Sequence, residues 1–132
     1  MKIFNLTPHV INVYSQADVQ PEIINGRPTG KFIANPDSKP VISYESVGMA
    51  RCSVNEVPAA PLEDGFNLFP VVKKTFSDVT GIPCTVEPED VIIVSAIVGN
   101  ILGGKVPYRV LGPGSIVLKD GQIVGCLGLS EF

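Results

Sequence analysis

The only histidine of this 132-residue chain, His9, is the first candidate for a catalytic role. His9 follows Thr7 and Pro8 in the opening stretch FNLTPHVINVY. Imidazole titrates near neutrality, so a hydrolase could use His9 as a general base with Cys126 or Ser95 as the nucleophile. The structural hypothesis is that Thr7 and His9 hydrogen-bond backbone groups left unpaired beside the proline. A third hypothesis places both side chains at the edge of a ligand pocket.

The arginines and one serine could bind an anion. Arg109 follows Tyr108, so a guanidinium for phosphate or carboxylate lies next to a ring on which a nucleotide base could stack. Arg51 lies in an apolar stretch, and either arginine could instead pair with a local carboxylate. Ser95 precedes a predicted helix whose first N–H groups attract anions, although it could simply cap that helix. The predicted ligand-binding residues are Thr7, His9, Arg51, Ser95, Asn100, Tyr108 and Arg109.

The three cysteines, Cys52, Cys84 and Cys126, show neither metal-binding nor disulfide spacing. Each lies among apolar or small residues, which predicts buried and unreactive thiols. The acidic clusters at 63–65 and 87–90 lack the spacing of a calcium loop and are predicted to be solvated turns. The sequence therefore predicts neither a metal site nor a cofactor.

Composition argues against several classes of protein. Hydrophobic residues make up 45% of the chain and charged residues 17%, which predicts a folded homo-oligomer with apolar surface covered by a second copy. The net charge of −3, without a basic run, argues against binding of duplex nucleic acid. The longest apolar run, 91–102, is too short to span a membrane. The opening residues lack a signal-peptide pattern, so we expect a cytoplasmic protein.

Twelve prolines and thirteen glycines predict short strands joined by turns. The strand-like segments near the start are predicted to form either one long strand with a kink or bulge at Thr7-Pro8 or two strands joined there by a tight corner. The stretch DVIIVSAIVGNILGGK predicts a buried strand that leads directly into a short helix at about 96–102. After it we predict a strand, a turn at 112–114, a second strand, and a hairpin turn at Asp120-Gly121 before the last strand.

The middle of the chain gives weaker patterns. Residues 15–40 look irregular, with a turn predicted at 24–30. Strands split at Gly48 are predicted within 40–57, followed by a loop at 58–65 and a strand pair at 66–79. Together the elements predict a β-rich α+β fold. We expect a compact single domain, 1–132, of short and mostly antiparallel strands with one short helix after a buried strand.

Four stretches carry a resemblance to a known group of proteins. They are NLTPH at 5–9, ARCSV at 50–54, IIVSAIV at 92–98, and GPGS, KDG and IVGCLGL within 112–129. Taken together they resemble a family of small proteins of unknown function encoded by phages and prophages. The resemblance implies a phage protein that acts in the cytoplasm of a bacterial host. Some phage proteins of similar size trap nucleotide-derived immune signals, which makes sequestration a hypothesis by analogy.

Three functions are consistent with these patterns. The leading hypothesis is a non-enzymatic homo-oligomer that sequesters a small anionic or nucleotide-like ligand in pockets at subunit boundaries. The second is a structural or assembly protein of the virion, whose exposed apolar strands dock on a partner. The third is a small hydrolase that uses His9 with Cys126 or Ser95.

Overall fold

The computed structural model describes all 132 residues as one mixed sheet, a separate two-stranded hairpin and one short helix. A single turn of 3-10 helix, Gln16–Asp18, precedes the third strand. The elements in chain order are β1 (Ile3–Asn5), β2 (Ile11–Tyr14), β3 (Val19–Ile24), β4 (Arg27–Ala34), β5 (Ile42–Tyr44), β6 (Val54–Asp64), β7 (Asn67–Phe76), β8 (Val91–Ile93), α1 (Ala96–Leu102), β9 (Arg109–Lys119) and β10 (Gln122–Glu131). The β-rich character and the single short helix match the sequence prediction.

The main sheet runs in the order β1-β8-β9-β10-β2-β5, and β4 joins it alongside the second half of β9. Four of its strand pairs are parallel, namely β1–β8, β8–β9, β10–β2 and β4–β9. The prediction of mostly antiparallel strands is therefore only partly right. Closely spaced turns predict hairpins, but parallel pairs need a crossover, and α1 supplies the one from β8 to β9.

The main sheet curls until its two ends nearly meet. β1 and β5 stand at opposite ends of the strand order, yet Asn5 forms a parallel bridge with Ser46, just beyond β5. Val47 N donates to Asn5 O at 3.0 Å, and Ala50 N donates to Leu6 O at 2.9 Å. Residues 46–50 therefore run alongside the end of β1, which leaves little exposed edge there.

The core lies on both faces of β8. Ile92 packs in a cluster with Leu6 and with Val98 of α1, while Ile93 packs with Ile11 and Cys126 on the other side. A strand covered on both faces takes a continuous run of β-branched residues rather than an alternating pattern. The predicted buried strand leading into a helix is therefore confirmed.

Two tight turns in the main sheet match the sequence. Asp120-Gly121 joins β9 to β10 with φ of 53° and 76°, and Asn25-Gly26 joins β3 to β4 with φ of 52° and 75°. Positive φ at both central residues is the backbone that twisted hairpins require, and Asn-Gly and Asp-Gly adopt it at least cost. The hairpin turn predicted at Asp120-Gly121 is confirmed. The turn predicted at 24–30 is confined to Asn25-Gly26, because residues 27–30 already belong to β4, and the region 15–40 is more regular than expected.

The turn predicted at 112–114 is wrong, because Gly112, Pro113 and Gly114 all lie within the continuous strand β9. Instead of forming a turn, the glycines allow two strands to approach each other closely. A Cβ atom built at Gly114 would lie 2.7 Å from the backbone oxygen of Gly128 on β10. Glycine is thus needed at this position for packing.

β6 and β7 form a separate hairpin, residues 54–76, which we call the arm; the rest of the chain is the body. The predicted loop at 58–65 is wrong, because most of it belongs to β6, and the predicted strand pair at 66–79 is the single strand β7. Prolines are excluded from central strands but tolerated in edge strands. In a two-stranded hairpin both strands are edges, so Pro58, Pro61 and Pro70 can be accommodated. None of the helices has the length and apolar character needed to cross a bilayer.

Candidate functional site

The NLTPH motif forms a tight corner between β1 and β2, held by the buried side chain of Asn5. Asn5 Nδ2 donates to His9 O at 2.7 Å and to Tyr44 O at 2.8 Å. Asn5 Oδ1 accepts from Thr7 N at 3.0 Å and from Thr7 Oγ1 at 2.6 Å. Thr7 is therefore engaged within the fold, and His9 contributes its backbone carbonyl to the corner. Asn5 was not among the residues predicted from the sequence, although its place just before a Thr-Pro corner was a usable signal.

The His9 side chain is exposed and lines a cleft of about 360 Å³, whose wall also includes Cys126. This cleft, which we call the His9 cleft, does not contain Ser95. Burial raises the pKa of the Cys126 thiol, and its Sγ lies 3.6 Å from Asn12 O. A protonated thiol is a poor nucleophile, so this geometry gives no support to a hydrolase that uses His9 with Cys126.

A second cleft brings three of the predicted residues together. It has a volume of about 270 Å³ and is lined by Thr7, Arg51 and Ser95 among mainly apolar neighbours. Because Arg51 and Cys52 immediately precede the arm, we call this the root cleft. Arg51 is exposed and makes no ion pair, while its backbone pairs with Thr80. Ser95 occupies the N-cap position of α1, but its side chain makes no capping hydrogen bond.

The other predicted ligands lie outside both clefts. Arg109 Nε donates to Glu131 Oε1 at 3.1 Å, and Nη2 donates to Oε2 at 3.3 Å. Hydrogen bonding in this exposed pair raises the pKa of Arg109 and lowers the pKa of Glu131. Tyr108 is half-buried against the core cluster beneath α1, and Asn100 is exposed on α1. The fork of Arg109 is thus already occupied by a carboxylate of its own chain.

The arm exposes an extended apolar surface, and none of its residues was among the predicted site residues. Every residue of 54–76 except Thr75 is exposed. Strand register places Pro58 with Val72 on one face, and Ala59 with Val71 and Leu62 with Phe69 on the other. Both faces are therefore apolar at their centres, whereas a free-standing hairpin needs at least one polar face. The signal in the sequence was the absence of polar alternation through 57–62 and 68–72.

The cysteines differ in exposure. Cys126 is buried, Cys52 is half-buried in the root cleft, and Cys84 is exposed. The prediction of three buried thiols is therefore wrong for Cys84, which lies in a loop between β7 and β8 that leaves it open to water. No three His, Cys, Asp or Glu side chains come together in a group that could hold a metal ion.

Comparisons with known proteins do not suggest a function for this chain. No protein-family model, curated protein or solved structure matches the chain. The structural features that could indicate a function are therefore the arm, the two clefts and the charged residues near them.

Proposed function

We propose that the protein is a self-associating assembly protein whose arm is the docking element. The observation that carries this proposal is the arm itself, a hairpin of 23 residues that leaves Phe66 fully exposed and both of its faces apolar. This is the second of the functions suggested by the sequence, a structural or assembly protein of a virion. In such a protein, exposed apolar strands dock on a partner.

The energetic cost of exposed apolar surface favours an arm that is covered by another protein surface. An isolated two-stranded hairpin is marginally stable in water, because neither face has a core to pack on. Exposed apolar surface costs about 25 cal/mol per Å² relative to buried surface, and large contiguous apolar patches on soluble proteins mark interaction sites. Neither β6 nor β7 packs extensively on any other strand or helix of the body. A second protein surface is therefore the natural cover for the arm.

The rest of the molecule supports the same proposal. Charged residues make up only 17% of the chain, and exposed apolar side chains also occur on the body, including Val41, Val47 and Ile123. Homo-oligomer interfaces are depleted in charge in this way. The resemblance to phage proteins supports a role in the cytoplasm of a bacterial host, where virions assemble.

The decisive experiment compares the wild type with an arm-shortened variant by analytical ultracentrifugation. Residues 58–72 are replaced by Asn-Gly, which joins Val57 to Lys73, its partner in the hairpin, through a tight turn. We expect the wild type to sediment as an oligomer and the shortened chain as a folded monomer. Arg109→Ala is the matched control and should sediment like the wild type, because that side chain is exposed and distant in sequence from the arm. A wild type that remains monomeric at high concentration would refute the proposal.

A second candidate function, binding of a small anionic or nucleotide-like ligand, is favoured by one observation. Arg51 is an exposed guanidinium without a carboxylate partner, beside an apolar cleft that also contains the hydroxyl groups of Thr7 and Ser95. Such a cleft could hold a phosphate or carboxylate while an apolar group fills its floor.

Isothermal titration with a panel of cyclic and linear nucleotides tests this second candidate. Binding should produce heat in the wild type and be weakened at least about tenfold in Arg51→Ala, since charge-assisted hydrogen bonds are the strong ones. Arg109→Ala serves as the control and should bind normally, because Arg109 lies outside the root cleft. Absence of heat with every nucleotide removes the support for this role.

A further inference from the structure

We infer that two copies of the chain pair by laying their arms side by side and antiparallel, so that the tip of each arm docks in the root cleft of the other copy. The tip is the segment 63–67 at the end of the hairpin, and the root is where the arm joins the body. This inference rests on the proposed function and specifies its geometry: a two-fold dimer in which each copy gives one tip and receives one.

The length of the arm separates its tip from its own root cleft. β7 alone has 10 residues, which extend about 33 Å at 3.3 Å per residue. The root cleft is lined by Arg51 and Cys52, which lie just before the first residue of the arm. An extended hairpin therefore carries its tip far from its own root cleft. Only another copy can place a tip there.

The side chain at the tip fits the size and the lining of the root cleft. Phe66 lies in the two-residue turn at the tip, and its side chain is fully exposed. The root cleft has a volume of about 270 Å³, and its apolar lining includes Met49 and Ile97, both exposed, together with Pro8 and the buried Leu6. A cavity of about 150 Å³ is enough to hold a benzene ring. The root cleft thus has the size and the lining for one phenyl side chain.

The tip and the root of the arm carry opposite net charges. The tip carries Glu63 and Asp64 and no positive side chain. Near the root, Arg51, Lys73 and Lys74 outnumber the carboxylates Glu56 and Asp78. An antiparallel pair of arms brings each acidic tip to a net positive root, whereas a parallel pair would place like charges together. Complementary charge sets orientation and register in this way.

Two copies of the arm could pair through their strand edges or through their faces. Pro58, Pro61 and Pro70 lack the N–H that a neighbouring strand would need, so the edges of the arm are poorly suited to strand addition. The faces are better suited, and the one with less charge presents Val57, Ala59, Leu62, Phe69 and Val71. Each aromatic side chain can bury about 150–250 Å². Phe66, which is fully exposed, can bury an area of this size, and the partly exposed Phe69 and its aliphatic neighbours add to it, so the arm supplies a large apolar part of the roughly 800 Å² per partner that a stable interface buries.

Disulfide trapping tests the inference with the native Cys52 as one of the two thiols. The variant Asn67→Cys introduces a thiol at the tip without removing Phe66, and Cys84→Ser in the same chain removes the exposed native thiol. Under mild oxidation, most of the chain should run as a covalent dimer on a non-reducing gel. Mass spectrometry of the digest should identify the disulfide between Cys52 of one copy and the introduced thiol of the other.

The controls separate this inference from the proposed function. Adding Cys52→Ser to the same background should abolish the covalent dimer, whereas a dimer that persists would show that the tips meet each other and would overturn the antiparallel arrangement. Oligomers in the ultracentrifuge that give no disulfide would also overturn the inference and leave the assembly role standing. A monomeric chain would overturn both. Phe66→Ala should raise the dimer dissociation constant at least about tenfold, as expected for a buried aromatic anchor.

Discussion

At the scale of single residues, the NLTPH corner is built from hydrogen bonds that the chain makes with itself. The amide of Asn5 uses both its donor and its acceptor, and it joins the end of β1 to His9 O and to Tyr44 O on β5. Ser46 Oγ also donates to Thr7 O at 2.6 Å. Buried polar groups satisfied in this way specify one geometry, and the loss of either partner leaves the other unsatisfied.

We therefore expect Thr7→Val to lower the free energy of unfolding by about 1–3 kcal/mol, because it keeps the shape of the side chain and removes the hydroxyl bonded to Asn5 Oδ1. His9→Ala should change the free energy by less than about 0.5 kcal/mol, since the imidazole is exposed and only the backbone carbonyl holds the corner. Urea denaturation of both variants measures the difference. Equal losses would show that the imidazole shares the structural role.

A second residue with a defined role is Asp90, a buried carboxylate just before β8. Its Oδ1 accepts from Lys2 N at 2.8 Å, and its Oδ2 accepts from Glu87 N at 2.9 Å. These backbone hydrogen bonds lower the pKa of Asp90 below its ordinary value of 3.8, against the opposing effect of burial. Asp90 thus ties the start of β1 to the entry of β8, the parallel pair at one end of the sheet.

The stability contributed by Asp90 should depend on pH. Between the lowered folded pKa and the ordinary value of 3.8, the unfolded chain binds a proton that the folded chain does not. The contribution is therefore complete above about pH 4 and is lost as the pH falls through the folded pKa. Asp90→Asn should be less stable than the wild type at pH 7, and the gap should narrow near pH 3. Urea midpoints at the two pH values measure it, and a gap independent of pH would contradict the assignment.

At the scale of elements, the structural role of a glycine or a proline depends on the neighbouring strand. Gly114 lies in the middle of β9, where its missing side chain allows close approach of β10. Gly121 has φ of 76° and open space around it, so its role is confined to the backbone of the turn. Two glycines seven positions apart in sequence thus have different physical roles.

Gly114→Ala should therefore lower the free energy of unfolding by about 2–3 kcal/mol, because the added methyl group meets backbone atoms of β10 that cannot rotate away. Gly121→Ala is the matched control and should cost about 1 kcal/mol, the strain of an alanine at positive φ. Thermal or urea unfolding of the two variants measures the order. A larger loss at Gly121 would show that β10 can shift to accept the methyl group.

At the scale of the whole molecule, a packed body carries an arm that has no core of its own. Only 21 of the 132 residues are buried, and the exposed large hydrophobic residues extend from the arm to the body. A chain with so much uncovered apolar surface should gain stability from its own association. Its stability and its oligomeric state are then linked by mass action.

This linkage predicts that the melting temperature of the wild type rises by about 2 °C for each tenfold increase in protein concentration, as expected for a dimer of chains of this size. Phe66→Ala should show a smaller rise, because the fully exposed ring at the tip is the proposed anchor. Differential scanning calorimetry over a hundredfold range of concentration measures both slopes. Identical slopes in the two proteins would argue against Phe66 as the anchor.

Local chemistry in the sequence determined much of the fold. The Asp120-Gly121 hairpin and the buried strand β8 leading into α1 were predicted, and the corner at Thr7-Pro8 was one of the two alternatives, because turn residues, β-branched runs and proline act on their immediate neighbours. The site was predicted less well. Thr7, Arg51 and Ser95 do line one cleft, but His9 lies in another and Arg109 is paired with Glu131.

Tertiary structure decided the rest, since pairing and exposure depend on residues far away in the chain. The parallel contact of β1 with β8 joins segments that are more than 80 positions apart, and no local pattern specifies it. The same holds for the root cleft, which three separate segments line. Residues 58–65 of the arm were predicted as a loop because prolines interrupt them, and only the absence of neighbours on either side shows that the whole arm is a projecting hairpin. The type of each side chain can be read from the sequence, whereas the residues that cover it are determined by the whole fold.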